Sequence, residues 1–485
     1  TKNGGETWTN VAKNIKYLPE NSWITQIKAS NKNKGEALLI ANDYRRFNYI
    51  PYAYRTKNYG KSWERIVDEK DVQSYTLCII EDPENENLLF LGTDDGLYIS
   101  IDAGEKWTKW TEGFPTVPVK DLIIHPREND LIIGTFGRAA WVLDDIRPLR
   151  AIANRNVTSK KLALFAPPTA YQTASQQPTG SRFGGDAMYQ GENRKRGAII
   201  SYYINKPKEK KEKKQDKKEE TLKQVKEDSI NAKKYDSIKL EIFDGERQIR
   251  TLKIKTPKEN GIHKTTWYLR EKGVARASRT IRKSKSEPNG VSVKPGTYKL
   301  KMTFGDAVSE QNIKVEFDPR LQISKEAINQ KYNASKELEG YQDKIAGIVK
   351  QLVESKNAAI SIKAQLSKED KKKYKTEIKS STEIIKKIDT LIALYLGKVD
   401  KRQGITRNPE ITVNQRFGLA SRYIRSRFGE QTKTETVLMN QFKEMFKLVV
   451  FDTNSFFNKE WLNYKSSTEK IYISPFKETK IYSIK

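Results

Sequence analysis

The sequence predicts a multidomain, mainly β chain: a partial β-propeller, then a β-sandwich, then an α-helical hairpin and bundle. Three observations carry this. A Ser/Thr-x-Asp/Asn-x-Gly-x-x-Trp motif occurs three times before residue 108, and alternating apolar runs fill 237–320. From Ser324 the apolar period lengthens to about three and a half residues.

The motifs open the chain. They are Thr1-Lys2-Asn3-Gly4-Gly5-Glu6-Thr7-Trp8, Thr56-Lys57-Asn58-Tyr59-Gly60-Lys61-Ser62-Trp63 and Ser100-Ile101-Asp102-Ala103-Gly104-Glu105-Lys106-Trp107. Their defining positions are Thr1, Asn3, Gly5 and Trp8; Thr56, Asn58, Gly60 and Trp63; and Ser100, Asp102, Gly104 and Trp107. The spacing suits a β-hairpin turn, in which the Asn or Asp side chain accepts from backbone N–H groups just ahead. The glycine two positions later takes a conformation other residues resist. Each tryptophan is expected to pack beneath its turn. A second repeat, strand, polar turn, strand, lies between the motifs. Ile79 to Thr93 aligns with Leu122 to Thr135, and Ile24 to Ala41 is a looser copy. Short strands recurring at about 45 to 55 residues mark four-stranded propeller blades.

The pattern resembles the Asp-box, or bacterial neuraminidase repeat. Asp121 to Ile146 resembles the last blade of the sortilin-like Asp-box propellers of large secreted or surface proteins of Bacteroidetes, often labelled glycosyl hydrolase on the repeat alone. The resemblance implies many more blades than the three countable here. It also implies motifs that are structural turns on the outer rim, and an immunoglobulin-like β-sandwich after the propeller. The chain opens on Thr1 inside a motif, so it reads as the C-terminal portion of a longer protein. A partial ring exposes apolar blade faces and strand edges. The missing blades are therefore expected from upstream sequence of the same precursor or from a companion chain.

After the blades (1–150), residues 151–205 read as a connector rich in Pro, Gly, Gln and Ser that ends in a strand at Gly197 to Ile204. Residues 206–236 are a lysine and glutamate block, too poor in apolar residues to offset its ordering entropy, and read as a loop or exposed helix. The sandwich (237–320) rests on Ile238 to Gly245, Thr265 to Leu269 and Pro295 to Phe304; Arg276 to Lys285 is a basic surface loop within it. In 324–465, Ile328, Tyr332, Leu338, Tyr341, Ile345, Ile348 and Leu352 trace one helical face, and Tyr374, Ile378, Ile385, Ile388 and Ile392 a second. Ser367 to Asp370 is expected to cap the second helix. Val413 to Arg427 and Glu435 to Val449 add further helices, and the tail (466–485) is expected to be an added strand or a partner-binding segment.

Composition narrows the function. At 485 residues the chain exceeds a single core. The net charge of +29 favours polyanions in general. Much of it is lysine interleaved with glutamate, however, and no zinc-finger spacing, RNP motif or P-loop is present, which argues against specific nucleic-acid binding. Cys78 is the only cysteine, which excludes a disulfide framework and a cysteine-rich metal site. His125 and His263 are the only histidines, which argues against a Ser-His-Asp machine or a multi-His zinc site within this chain; no metal and no cofactor is expected. No apolar run reaches the ~18 residues of a membrane span.

Paired carboxylates are the chemistry left open. The candidates are Asp94, Asp95, Asp121, Asp144 and Asp145, with Arg138 as an anion-binding group. Asp94-Asp95-Gly96 is also a turn signal, and Asp144-Asp145 ends a strand where carboxylates satisfy backbone donors. The expected function is a non-enzymatic extracytoplasmic binding or scaffold protein, at the cell surface, outer membrane or secreted, engaging a protein or glycan partner. The alternative is a glycoside hydrolase whose acids lie mostly on absent blades. A third reading is a polyanion-binding module.

Overall fold

The computed structural model describes residues 1, 3–153, 157–173, 195–206, 235–281, 286–399 and 411–471. Most of the lysine and glutamate block, the middle of the connector, the end of the basic loop and all but Ile471 of the expected tail strand lie outside these residues.

Three sheets in succession form blades. The first runs β1 (Trp23–Ala29), β2 (Ala37–Asp43), β3 (Asn48–Thr56) and β4 (Glu64–Arg65), each strand antiparallel to the next. The second repeats this with β5 (Thr76–Glu81), β6 (Leu89–Thr93), β7 (Gly96–Ser100) and β8 (Thr108–Lys109). The third has β9 (Val119–Ile124), β10 (Leu131–Thr135) and β11 (Ala140–Leu143). The first strands converge: Ile79 N–H donates to Gln26 (2.7 Å), and Lys28 Nζ reaches the Leu122 carbonyl (3.3 Å). That convergence is the inner ring of a propeller.

Burial explains why the middle strands are apolar throughout. Every residue of β6 and β7 is buried, because the pleat sends alternate side chains to two neighbours. Leu89 and Leu91 join Leu38, Ile40 and Ala53 of the first blade, whereas Phe90 joins Val119, Leu122 and Leu131 of the third. Gly92 lies where the blades approach most closely: a Cβ there would meet Cys78 Sγ at 2.5 Å and Val119 Cγ1 at 2.7 Å. Burial pushes the Cys78 thiol up to about 12, so it is a packing residue rather than a nucleophile. The outward sides of the flanking blades are open, with Ile27, Ile123 and Val142 more than half exposed.

After the last blade a short helix, α1 (Arg147–Ala153), leads into two sheets that share one core. One has the order β12 (Leu162–Leu164), β14 (Ala198–Ile204), β17 (Gly261–Trp267). The other has the order β13 (Ala170–Gln172), β21 (Ala307–Phe317), β20 (Gly296–Phe304), β15 (Ser237–Asp244), β16 (Arg247–Lys255), with β13 parallel to β21. Ile200, Tyr202 and Trp267 from the first sheet pack on Leu240, Leu300 and Phe304 from the second. Three of these strands come from the stretch read as a connector. A hairpin, β18 (Arg270–Lys272) with β19 (Asn289–Ser292), projects from the sheets.

The helices are α2 (Lys325–Glu369), α3 (Lys375–Leu396), α4 (Val413–Ser426), α5 (Lys433–Phe456) and α6 (Leu462–Thr468). A π-helical turn, Phe457–Trp461, joins the last two. Ser324 caps α2 through the Ala327 N–H (3.1 Å), and Thr412 with Gln415 and Thr432 with Glu435 form capping boxes on α4 and α5. The cap expected at Ser367 to Asp370 is corrected. Helix α2 continues through Glu369 and Ser367 donates back to the Lys363 carbonyl (2.7 Å). Asp370 accepts from the Lys372 and Lys373 N–H groups in the turn that follows (both 2.9 Å). Helix propagation adds a hydrogen bond per residue, so a lone Ser inside a long periodic run does not stop it.

Candidate functional site

The three motifs adopt one hydrogen-bond pattern. The glycine N–H donates to the first hydroxyl in each: Gly5 to Thr1 (2.8 Å), Gly60 to Thr56 (2.9 Å) and Gly104 to Ser100 (2.9 Å). The Asn or Asp side chain accepts from the N–H four residues on: Thr7 to Asn3 (3.1 Å), Ser62 to Asn58 (2.9 Å) and Lys106 to Asp102 (3.0 Å). Tyr59 and Ala103 stand at positive φ (60° and 63°) just before glycines that do the same. The Thr56 and Ser100 motifs join the third and fourth strands of their blades. Trp107 is buried and donates to the Ile66 carbonyl (2.7 Å), as expected beneath a turn. Trp8 differs, being 79% exposed, because no described blade lies beside it.

The turns that start each second strand show a substitution of chemistry. Asp82 accepts from the Glu84 and Asn85 N–H groups (2.9 and 2.8 Å). In the next blade His125 Nδ1 takes that place, accepting from Arg127 and Glu128 (3.3 and 3.1 Å). His125 is thus a turn residue. His263 is likewise set apart from any acid-base set, its Nε2 facing the Glu259 carbonyl (2.9 Å).

The candidate carboxylates separate onto opposite ends of the blades. Asp94 and Asp95 sit in the β6–β7 turn and Arg138 in the matching β10–β11 turn; Asp121 lies near that edge, paired with Gly134. Asp144 and Asp145 lie at the other end of β11. Four residues of strand place these groups roughly 13 Å apart along the axis, beyond the ~5–9.5 Å that paired glycosidase acids span. Asp94, Asp95, Asp121 and Asp145 also have local tasks. Tyr75 OH donates to Asp94 (2.8 Å), and Asp145 accepts from Arg147 (2.5 Å). Asp121 accepts from the Leu122 N–H (2.9 Å). Burial acts to raise the Asp95 carboxyl, but bonds from Lys109 (2.7 Å), Thr93 (2.6 Å) and Tyr98 (3.3 Å) overcome it and hold it below the usual range. That is opposite to what a general acid needs.

The edge carrying Asp94, Asp121 and Arg138 is aromatic. Tyr44 stacks on Tyr75 (4.7 Å between centroids), Tyr49 tilts against the same ring (6.1 Å), and Arg45 covers Trp23 (3.9 Å). Trp23, Phe47, Tyr49 and Phe136 are all more than half exposed there. At the other edge, Arg55 is buried between Glu36 (3.4 Å) and Glu81 (3.0 Å) beside a cavity of about 320 Å³. Burial raises the Glu81 carboxyl in spite of Arg55. This acid pair carried no sequence signal, since its members are far apart in the chain.

A larger cavity, about 420 Å³, opens between the paired sheets and helices α2 and α4. Its walls include Arg196, Arg270, Lys294, Lys331 and Arg425. Five cations drawn from five separate segments also left no motif to read.

The blades and their inner ring define a β-propeller protein. Over residues 52–156 the chain matches the Sortilin-Vps10 family, described as sortilin, neurotensin receptor 3, and this segment resembles the blades of a sortilin-like propeller. The vacuolar protein sorting/targeting protein 10 of Pyrenophora teres f. teres is 27% identical over 126 residues, which is 25% of this chain and 8% of that protein. Among solved structures, the GH74 enzyme of Niastella koreensis aligns at 17% identity and TM-score 0.23, covering 25% of this chain and 21% of that one. The GH74 xyloglucanase of Xanthomonas campestris aligns at 17% identity and TM-score 0.22, covering 37% and 27%. The chain thus spans a small part of each relative. Among the described residues no helix is long and apolar enough to cross a membrane.

Proposed function

We propose that this chain belongs to an extracytoplasmic binding or scaffold protein whose propeller engages a protein or glycan partner, as a cell-surface, secreted or outer-membrane component. The observation that carries the reading is the aromatic edge formed by Trp23, Phe47, Tyr49 and Phe136, which exposes large flat rings beside Arg45 and Arg138. Exposed aromatics with arginine are the side chains that dominate partner recognition. In this reading the Ser/Thr-x-Asp/Asn-x-Gly-x-x-Trp motifs are Asp-boxes that hold the blades, and the paired sheets are an immunoglobulin-like spacer. Further blades, from the same precursor or a companion chain, cover Ile27, Ile123 and Val142. Native mass spectrometry finding residues 1–485 alone as a stable monomer would remove that last part.

The competing reading is a glycoside hydrolase, and Glu36 with Glu81 is the acid pair of the described residues that favours it. One experiment separates the two. The protein is screened on a glycan array and on cell-envelope proteins, and positive glycans are then assayed for reducing-end release. Binding without release is expected, with W23A/Y49A weakening it about tenfold or more. Turnover that E36Q and E81Q abolish would establish the hydrolase instead.

A further inference from the structure

We propose that the cleft between the paired sheets and helices α2 and α4 is a binding site for a small ligand bearing two or more oxyanion groups, carboxylate, sulfate or phosphate. Charge imbalance is the first argument. Arg196, Arg270, Lys294, Lys331 and Arg425 line the cleft, and no carboxylate does among the described residues. None of the five forms an ion pair among the described residues. Lys294 and Lys331 lie over the rings of Tyr332 (5.1 Å) and Phe428 (4.5 Å), Lys331 also meets the Arg427 carbonyl, and Arg270 reaches only the Gly290 carbonyl at 3.4 Å.

The acids behind the cleft are already committed: Glu339, which attracts Arg425, is paired with Lys336, and Glu435, which attracts Lys331, is paired with Arg427 (3.3 Å). Glu271 is buried and accepts from Tyr332 OH (2.6 Å), Arg247 (3.0 Å) and Lys336 (3.3 Å). Glu271 thus ties the sheets to α2, while Arg270 lines the cleft. Crowding of like charge is the second argument. Arg425 is exposed on α4, yet partial loss of solvent against the cleft wall and repulsion from Arg270 and Arg276 outweigh the attraction of Glu339 and lower its pKa from the usual arginine value. Unpaired guanidinium groups in a concave site favour oxyanions, to which each donates two parallel hydrogen bonds.

The size fits a ligand of mono- or disaccharide dimensions, since small-molecule pockets hold roughly 300–1,000 Å³. Tyr268, 63% exposed at the rim, offers a flat surface to a ring. Arg276, from the loop read in the sequence as basic and exposed, adds its charge from behind. The cleft does not depend on the propeller reading, and its test is independent of it.

The whole chain is titrated calorimetrically at low and moderate salt with inorganic pyrophosphate, citrate and a trisulfated heparin-type disaccharide, using cellobiose as the neutral control. At least one anion is expected to bind saturably with one site, while cellobiose does not. R270Q and R425Q are each expected to weaken that binding about tenfold or more, and K379Q, on the exposed side of α3, to leave it unchanged. The probe that binds most tightly identifies the oxyanion. R425Q is also expected to keep or raise the midpoint of thermal unfolding without ligand, because it removes a repelled and unpaired charge; a purely structural arginine would lower it. R196Q, at a surface position, provides the same binding test if R425Q misfolds. The proposal is overturned if no probe saturates, if the cleft variants bind as the parent does, or if K379Q weakens binding equally.

Discussion

Alanine at Arg150 is expected to lower stability by about 3–5 kcal/mol, the cost of leaving a buried charge without its partner. Arg150, on α1, holds Asp82 through two bonds (2.8 and 2.6 Å), and Asp82 is wholly buried in the turn of the second blade. The same guanidinium reaches Asn129 (3.0 Å) in the third blade, and the Arg150 carbonyl accepts from Asn85 (2.9 Å). One side chain thus binds the segment after the propeller to two blade turns. Guanidinium unfolding followed by tryptophan fluorescence measures the loss. D82N should cost less than R150A, since the amide keeps the turn bonds from Glu84 and Asn85 and Arg150 keeps its ion pair with Glu84 (2.7 Å). A loss under about 1 kcal/mol for R150A would show the cluster to be solvated rather than buried.

The second large effect is expected at Arg55, where alanine leaves Glu36 and Glu81 facing one another in a buried site. The expected loss is again about 3–5 kcal/mol near neutral pH. Its pH dependence has a definite sign. The folded-state pKa of Glu81 is already raised, first by burial, with Arg55 and the Ser30 hydroxyl opposing. A carboxyl raised in the folded state contributes stability that is present at low pH and is lost as pH rises through the folded value. Removing Arg55 raises it further and widens that window. R55A should therefore be less destabilised at pH 5 than at pH 8, and thermal unfolding at the two values tests this. Equal losses at both would mean that Glu81 stays ionised and finds another partner.

These arginines mark where the sequence became silent. The Asn58 and Asp102 turns were readable because donor and acceptor are four residues apart, so their geometry is local. The strands and helix faces were readable for a related reason: a pleat and a helical turn repeat, and burial imprints that period on the apolar residues. The same logic failed at Ser367, where a locally plausible cap was overridden by a helix that runs on to Glu369 and turns the hydroxyl back onto the Lys363 carbonyl. At Asp94, Asp95, Asp144 and Asp145 the sequence offered two readings, a turn role and a paired-acid site. The strand order sent these acids to opposite ends of the blades.

The sequence by itself determined the blade repeat, its sortilin-like ending and the apolar faces of α2 and α3. Each is a matter of residue type and short spacing. Only the tertiary structure decided that connector strands complete the paired sheets, and that Arg55 and Arg150 fasten the blades. It also decided that five cations from 196 to 425 meet around one cleft. Such pairings depend on which strands and helices become neighbours, and Coulomb interactions are set by distance in space, which no period along the chain records.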